Sequence, residues 1–470
     1  MRKDLMIFML LAVILVFSGV AYAGDEAAIH FPQTNAGKLV ESYFKAFNGN
    51  ENDMRTYLEQ NISPQALTQR PIEERMAVYR QLKSDLSTLE PVQILKESAD
   101  AIKLVGRSAQ KSWFEITFQF EKTPANKLLS LRIMPLDEPP DLNAPTTPLT
   151  EAEMLKELET YLNEASNKDE FSGVVLLAKD DKTIFRQAYG LASKEYNTPN
   201  RIETRFNLGS INKYFTHIAI EQLEGKGLLK PDDPIGKYLP DYPNKEAAEK
   251  VTIQQLLDMT SGIGDFFGEK YQSTPKDQIR TLSDYLLLFG TDSLLFEPGT
   301  NRQYSNGGYI VLGLIIEKVS GQSYFDYVRD HIYKIAGMGN TTHLMADVPV
   351  ENVASGYTLN WDDNDHKGEP RRDNIYTRPA RGSSAGGGYS TVDDLLKLVL
   401  ALKANRLSVA KASDEINQGG IAIAGGAPGI NAALETNPEN GYTIIVLSNY
   451  DPPTAGTVAR KINSLLERLK

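Results

Sequence analysis

Phe206-Asn-Leu-Gly-Ser210-Ile-Asn-Lys213-Tyr-Phe-Thr-His-Ile-Ala-Ile-Glu-Gln-Leu223 is the stretch on which the reading of this chain turns. Ser210 and Lys213 stand three residues apart, so on a helix they share a face and their side chains meet. A serine hydroxyl is a weak nucleophile at neutral pH and needs a neighbouring base. Lysine fills that role once burial lowers its pKa, because a desolvated ammonium is costly. A Ser-x-x-Lys pair on its own is usually a solvated helix surface. Here Phe206, Leu208, Ile211, Phe215, Ile218, Ala219 and Leu223 make the segment too apolar for that, and the pair is expected within or beside a core.

The ends of the chain bound its setting. Arg2 and Lys3 precede an apolar run from Met6 to Phe17, and Ala21-Tyr22-Ala23 follows. This pattern reads as a secretory signal cut after Ala23, which implies a secreted or periplasmic protein; an uncleaved membrane anchor is the competing reading. Cysteine is absent, which excludes disulfides and thiol chemistry. The five histidines show no metal-ligand spacing, and the net charge of −11 comes with no basic tract. Metal catalysis and nucleic-acid binding are therefore not expected, and no cofactor is implied. His217, one turn beyond Lys213, reads as a packing residue because lysine already fills the base role. Asp232-Asp233 before Pro234 reads as a turn rather than a metal pair.

Two domains are expected after the signal at 1–23. Residues 136–150 read as a linker, within a stretch (MPLDEPPDLNAPTTPLTEA) that carries five prolines and no apolar period. Before it, at 24–135, Leu39, Val40, Tyr43, Phe44 and Phe47 recur at helical spacing, as do Met76, Val78, Tyr79 and Leu82. Trp113–Phe120 alternates as a half-buried strand with Phe114, Ile116, Phe118 and Phe120 on one face, and Lys127–Ile133 reads as its neighbour. Helices packed on a curved antiparallel sheet, an α+β layer, account for this order. YFKAFNGNENDMRTYLEQN, RMAVYRQL and the late strands resemble NTF2-like cone domains. That resemblance implies a structural or docking module with an unidentified partner, or a ligand pocket.

In 151–470, a helix (Met154 to Ala165) precedes a buried strand at Phe171–Ala178 and a hairpin turn at Lys179–Lys182. A helical middle follows, with a helix expected from Tyr309 to Val319. Gly441–Asn449 is a late strand, and Val458 to Leu469 is a terminal helix. This order suggests a single sheet built from both ends of the domain.

Four blocks in this order resemble the serine β-lactamase and penicillin-binding-protein superfamily, nearest to its class C β-lactamase, D-alanyl-D-alanine carboxypeptidase and esterase branch. They are FNLGSINKYFTHIAIEQLEGKGLLKPDDPIGKYLPDYP, VTIQQLLDMTSGIGD, the block PGTNRQYSNGGYIVLGLIIEKVSGQSYFDYVRDHIYKIAGMGNT and RGSSAGGGYSTVDDLLKLVLAL. The resemblance implies an antiparallel sheet flanked by helices plus a helical region. It makes Ser210 the nucleophile, Lys213 its base and Tyr304, in the Tyr-x-Asn motif, a proton relay whose phenolate an ammonium would stabilise. Asn306 is placed against the substrate amide, with a simple turn residue as the alternative. The third family motif, Lys-Thr-Gly or His-x-Gly, falls on Ile423-Ala424-Gly425, so its cation or imidazole is replaced by isoleucine. The backbone role is expected to survive, with the N–H groups of Ser210 and Gly426 forming an oxyanion hole beside Gly425.

The expectation is an exported serine hydrolase acting through an acyl-enzyme on small esters, amides or D-amino-acid peptides. The alternative is a binding or regulatory protein that keeps the fold and has lost turnover through Ile423.

Overall fold

The computed structural model describes residues 29–123, 126–136, 147–361, 366 and 368–469. The expected signal sequence and most of the linker lie outside them. The chain divides into two units, Met1–Pro145 and Thr146–Lys470.

In the first unit, helices precede strands. Helices α1 (Asn35–Asn48), α2 (Glu51–Asn61), α3 (Pro64–Gln69) and α4 (Ile72–Leu86) lead into β1 (Leu89–Glu97), β2 (Ala101–Ser108), β3 (Trp113–Phe120) and β4 (Leu128–Leu136). The four strands form an antiparallel meander in chain order. Period-2 alternation puts Phe114, Ile116, Phe118 and Phe120 of β3 on the buried face, against Val40, Tyr43, Phe44 and Phe47 of α1. Val78 departs from the expectation: it is 44% exposed, because the buried stripe of α4 runs through Met76, Tyr79 and Leu86.

The second unit opens with α5 (Glu151–Asn167). It starts at Glu151 rather than Met154 because Thr150 and Glu153 form a capping box. Strands β5 (Gly173–Lys179) and β6 (Lys182–Tyr189) follow, joined by Asp180 and Asp181, both at positive φ as a tight hairpin turn requires. Near the other end of the chain lie β7 (Ala422–Ala427), β8 (Ile430–Asn437) and β9 (Tyr442–Ser448). All five join in one antiparallel sheet in the order β7-β8-β9-β5-β6, so β9 pairs with β5 and the two ends of the unit close a single sheet.

Both faces of this sheet are covered, which explains why β5 is apolar from Gly173 to Ala178. Val174, Leu176 and Ala178 face the large helical core, while Val175 and Leu177 face α5 and the terminal helix Thr454–Leu466. That helix ends at Leu466, short of the expected Leu469.

Two further features position the site. The short strand Phe206–Asn207 pairs with Tyr389–Ser390. A single 3-10 turn, Gly209–Ile211, then feeds α6 (Asn212–Gly225), so Ser210 sits in the turn before the helix rather than within it. Helix α7 begins at Asn306 and runs to Ser320. It starts earlier than its apolar run suggests, because the Ser305 side chain accepts from the Gly308 N–H and caps it.

The two units have separate hydrophobic cores. Phe118 meets Tyr43 and Phe44 edge-on at ring-centroid distances of 5.2 and 6.0 Å. Phe118→Ala should therefore cost the first unit about 3–5 kcal/mol and leave the second unit's unfolding in place. Scanning calorimetry checks this, and a single transition shifted as a whole would show that the units do not unfold separately.

Candidate active site

The site is built around one buried amine. Lys213, on the first turn of α6, is 7% exposed, and its Nζ makes three polar contacts. Two are short: 2.6 Å to Asn306 Oδ1 and 2.6 Å to the Ala385 carbonyl. The third is Ser210 Oγ at 3.3 Å. A neutral amine has two N–H bonds and one lone pair. Here both N–H groups have carbonyl oxygens to donate to, and the lone pair is left facing the serine hydroxyl. Burial lowers the lysine pKa to about 7, with the Asp265 charge opposing that shift. Its Nζ also lies over the rings of Tyr304 and Tyr309, 4.8 and 5.5 Å from their centroids.

Asn306 separates Lys213 from Asp265. Its Nδ2 donates to Asp265 Oδ2 at 2.6 Å, and its backbone N–H reaches the same oxygen at 3.3 Å. A carboxylate can only accept, so the amide nitrogen must face Asp265 and the amide oxygen must face the lysine. Asn306 is thus more than a turn residue. Asp265 lies in the block VTIQQLLDMTSGIGD, where nothing in the sequence marks one aspartate as a site residue. The same segment anchors the loop before α7: Ser305 Oγ donates to the Gly264 carbonyl at 2.9 Å, and the Gln303 N–H to the Met259 carbonyl.

Tyr304 Oη donates to Ser210 Oγ at 2.7 Å. Partial burial raises its pKa above the ordinary tyrosine value, and the hydrogen bond to Ser210 opposes the shift. Burial thus favours a protonated Tyr304 phenol and a neutral Lys213 amine, the reverse of the phenolate–ammonium pair that the resemblance implies.

The segment Gly382–Gly388 is fastened to α6 by three side chains in register. Asn212 Nδ2 donates to the Ser383 carbonyl at 2.8 Å, Thr216 Oγ1 to Ser384 at 2.7 Å, and Lys213 to Ala385. The Tyr324 hydroxyl closes the back of this contact, 2.8 Å from Thr216 Oγ1 and 3.2 Å from Asn212 Nδ2. Sequence reading singled out RGSSAGGG as a block but not the carbonyls as the working groups. Backbone oxygens leave no residue-type signature.

On the other side, Ser210 abuts β7. Gly209 has φ +51°, and a Cβ there would come within 2.8 Å of the Gly426 nitrogen. A Cβ on Gly425 would lie 1.9 Å from the Leu208 carbonyl oxygen and 2.8 Å from the Ser210 nitrogen. Only glycines allow the two backbones to touch here. The Gly425 carbonyl accepts from Asn431 Nδ2 at 2.9 Å. In a trans peptide the carbonyl and the next N–H point in opposite directions, so holding the Gly425 oxygen aims the Gly426 N–H the other way. Asn431 escaped the sequence reading because this effect depends on its position across the sheet.

These groups open into a cleft of about 880 Å³, lined by Ser210, Tyr304, Asn306, Gly425 and Gly426 together with aromatic and aliphatic side chains such as Phe266, Phe267, Tyr285, Leu344 and Met345. Ala424 lines it and Ile423 does not; Ile423 packs partly buried against the main core. The expectation that isoleucine replaces a cleft-facing cation is corrected accordingly: an apolar side chain here joins the core around Leu434, its strand partner. His217 packs beside Tyr214 on α6, outside the lining. Asp233 stabilises a turn, accepting from the Lys230 N–H, Lys237 Nζ and Tyr238 Oη.

Comparison with known proteins accords with this architecture. The β-lactamase family model matches residues 158–467. Penicillin-binding protein 4* of Bacillus subtilis (strain 168) is 32% identical over 207 residues, which are 43% of this chain and 45% of that protein. The match thus spans less than half of that relative's length. The crystal structure of a penicillin-binding protein from Bacillus halodurans superposes with a TM-score of 0.58 at 29% identity, covering 66% of this chain and 98% of that one. D-amino acid amidase from Ochrobactrum anthropi SV3 shares the fold with a TM-score of 0.56 at 22% identity, over 67% of this chain and 98% of its own. The chain belongs to the β-lactamase family.

Proposed function

We propose that this protein hydrolyses small esters, amides or D-amino-acid peptides through an acyl-enzyme on Ser210. The observation that carries the reading is the buried Lys213 Nζ, 2.6 Å from the Asn306 and Ala385 oxygens and 3.3 Å from Ser210 Oγ, so that the neutral amine can donate to both carbonyls and turn its lone pair to the serine. Lys213 takes the serine proton as Oγ bonds to the substrate carbonyl carbon. The carbonyl oxygen becomes an oxyanion between the N–H groups of Ser210 and Gly426. As the tetrahedral intermediate collapses, the proton held on Lys213 passes through the Tyr304 hydroxyl to the leaving oxygen or nitrogen, and the acyl group stays on Ser210. Water then attacks the ester, giving its proton to the same Tyr304–Lys213 pair, which passes it to Ser210 Oγ as the acyl–Oγ bond breaks and the acid leaves. No cofactor or metal enters these steps. The D-amino acid amidase named above is consistent with amide substrates on this fold. The amino-terminal pattern from Arg2 to Ala23 supports export to a secreted or periplasmic location. The first unit, whose sequence resembles NTF2-like domains, fits a structural or docking module.

Three expectations test the reading. Ser210→Ala should abolish fluorophosphonate labelling and cut kcat by about three to six orders of magnitude while the protein stays folded. Activity within tenfold of the wild type would rule out Ser210 as the attacking group.

With Lys213 titrating near pH 7 and active only when neutral, kcat/KM should rise about tenfold per pH unit below that value and level off above it. Lys213→Arg should be nearly as inactive as Lys213→Ala, because guanidinium keeps its proton. A flat profile between pH 5 and 8, or an active arginine variant, contradicts the base assignment.

Gly425→Ala should separate the Ser210 turn from β7 and lower kcat by about a hundredfold or more, the scale of losing one oxyanion donor. Its KM and folded content should change far less. Steady-state kinetics with circular dichroism decide this, and a kcat within threefold of the wild type would mean that the close approach is not used in catalysis.

A further inference from the structure

Among the described residues that line the cleft, Arg378 carries the one basic or acidic side chain; the rest are apolar, glycine, hydroxyl-bearing or amide side chains. Lys213 lies behind the serine rather than in the lining. Arg378 is half-buried. Its Nη1 donates to Tyr389 Oη at 2.6 Å, its Nε is buried without an acceptor, and no carboxylate is paired with it among the described residues. A partly desolvated guanidinium with only a phenol for company is costly to maintain, and an anionic partner would offset that cost.

Its position ties it to the reacting serine. Tyr389, which accepts from Arg378, lies on the short strand opposite Asn207, and both residues line the cleft. Asn207 Oδ1 in turn accepts from the Gly209 N–H at 2.9 Å, one residue before Ser210. The apolar wall is equally close in the chain's pairing: Met345 bridges Arg381, and the Ala346 N–H donates to the Ala380 carbonyl. Leu344, Met345, Val348 and Pro349 therefore stand against the strip that carries Arg378.

We infer that Arg378 is the residue that selects substrates by charge, so that the preferred ester or amide carries a carboxylate alongside an apolar body. The inference rests on the acyl-enzyme reading of Ser210. It supplies the cation that the third motif lacks at Ile423 from a different segment, the strip between Tyr271's partner carbonyl at Thr377 and Pro379. The carboxylate forms a charge-assisted hydrogen bond with the free outer nitrogen, Nη2, while Tyr389 holds Nη1. The apolar body of the substrate lies along the Leu344–Pro349 wall. No other charged side chain is among the described residues that line the cleft, so none there competes with Arg378 for the carboxylate.

The test uses the full chain and two matched pairs of chromogenic esters. One pair places the charge on the acyl side: p-nitrophenyl hexanoate and the mono-p-nitrophenyl ester of adipic acid. The other places it on the leaving group: phenyl acetate and 4-acetoxybenzoate. Arg378→Gln should lower kcat/KM for the anionic member of at least one pair roughly ten- to a hundredfold, mainly through KM. The neutral members should stay within about twofold, and Arg378→Lys should recover part of the loss. A merely structural arginine would instead lower both members of each pair together. Equal losses, or anionic-to-neutral ratios unchanged in both pairs, would overturn the inference. Fluorophosphonate labelling of Ser210 in wild type and variant keeps the two readings apart. Labelling intact with unchanged ratios sinks the role of Arg378 alone, whereas absent labelling in the wild type sinks the acyl-enzyme reading beneath it.

Discussion

Everything at this site depends on keeping one lysine amine buried, close to a carboxylate, and still neutral near pH 7. Coulomb attraction works against that outcome. An aspartate in direct contact with Lys213 would hold the ammonium and remove the base. The structure separates the two by a single amide, Asn306, whose nitrogen faces Asp265 and whose oxygen faces the lysine. The carboxylate thus fixes the orientation of the asparagine at the distance of one side chain. Its charge still reaches Lys213, opposing the effect of burial, and the balance falls near neutrality rather than far below it.

This constraint dictates how distant segments must meet. The lysine needs two carbonyl acceptors, one supplied by the start of α7 and the other by the Ser383–Ala385 backbone. Neither segment is near α6 in sequence. Asn212 and Thr216 fasten the second segment to α6 on either side of the lysine, so the acceptor is set by a three-point contact rather than by one hydrogen bond. The five-stranded sheet adds the fourth segment, because β7 brings Gly425 and Gly426 against the serine turn. Covering that sheet on both faces gives β7–β9 and β5 a fixed plane from which to present these glycines.

What the sequence revealed and what it hid follow from the same physics. The Ser210/Lys213 spacing, the apolar flanks of α6, the alternation in β3 and the continuous apolar run of β5 are local patterns and are visible in a linear reading. The sheet closed from both ends was legible from the order of strands. Asp265 and Asn431 were not, since each is one ordinary polar residue whose role comes from a partner far away in the chain. The Ala385 carbonyl has no side-chain signature at all. Ile423 was misread for a related reason: the motif alignment identifies the strand position, but whether its side chain enters the cleft depends on what the core offers it. The first turn of α7 was placed three residues late because the apolar run begins at Tyr309, whereas the helix begins where Ser305 caps it.

The cleft and Lys213 share one electrostatic environment, and it treats the charges of lysine and arginine differently. Side chains such as Phe266, Tyr285, Leu344 and Met345 make the walls of the space around Ser210 largely apolar. In that setting a lysine lowers its cost by giving up a proton. Arginine has no such option, since guanidinium keeps its proton throughout the working range. A cation held in the same cleft must therefore be arginine if it is to remain charged while Lys213 is neutral. Arg378 meets that requirement and stands in a different segment from the amine, supported by Tyr389 rather than by an acid. One basic side chain is thus tuned to lose its charge and act on a proton. The other keeps its charge permanently, as the electrostatic recognition of an anion requires.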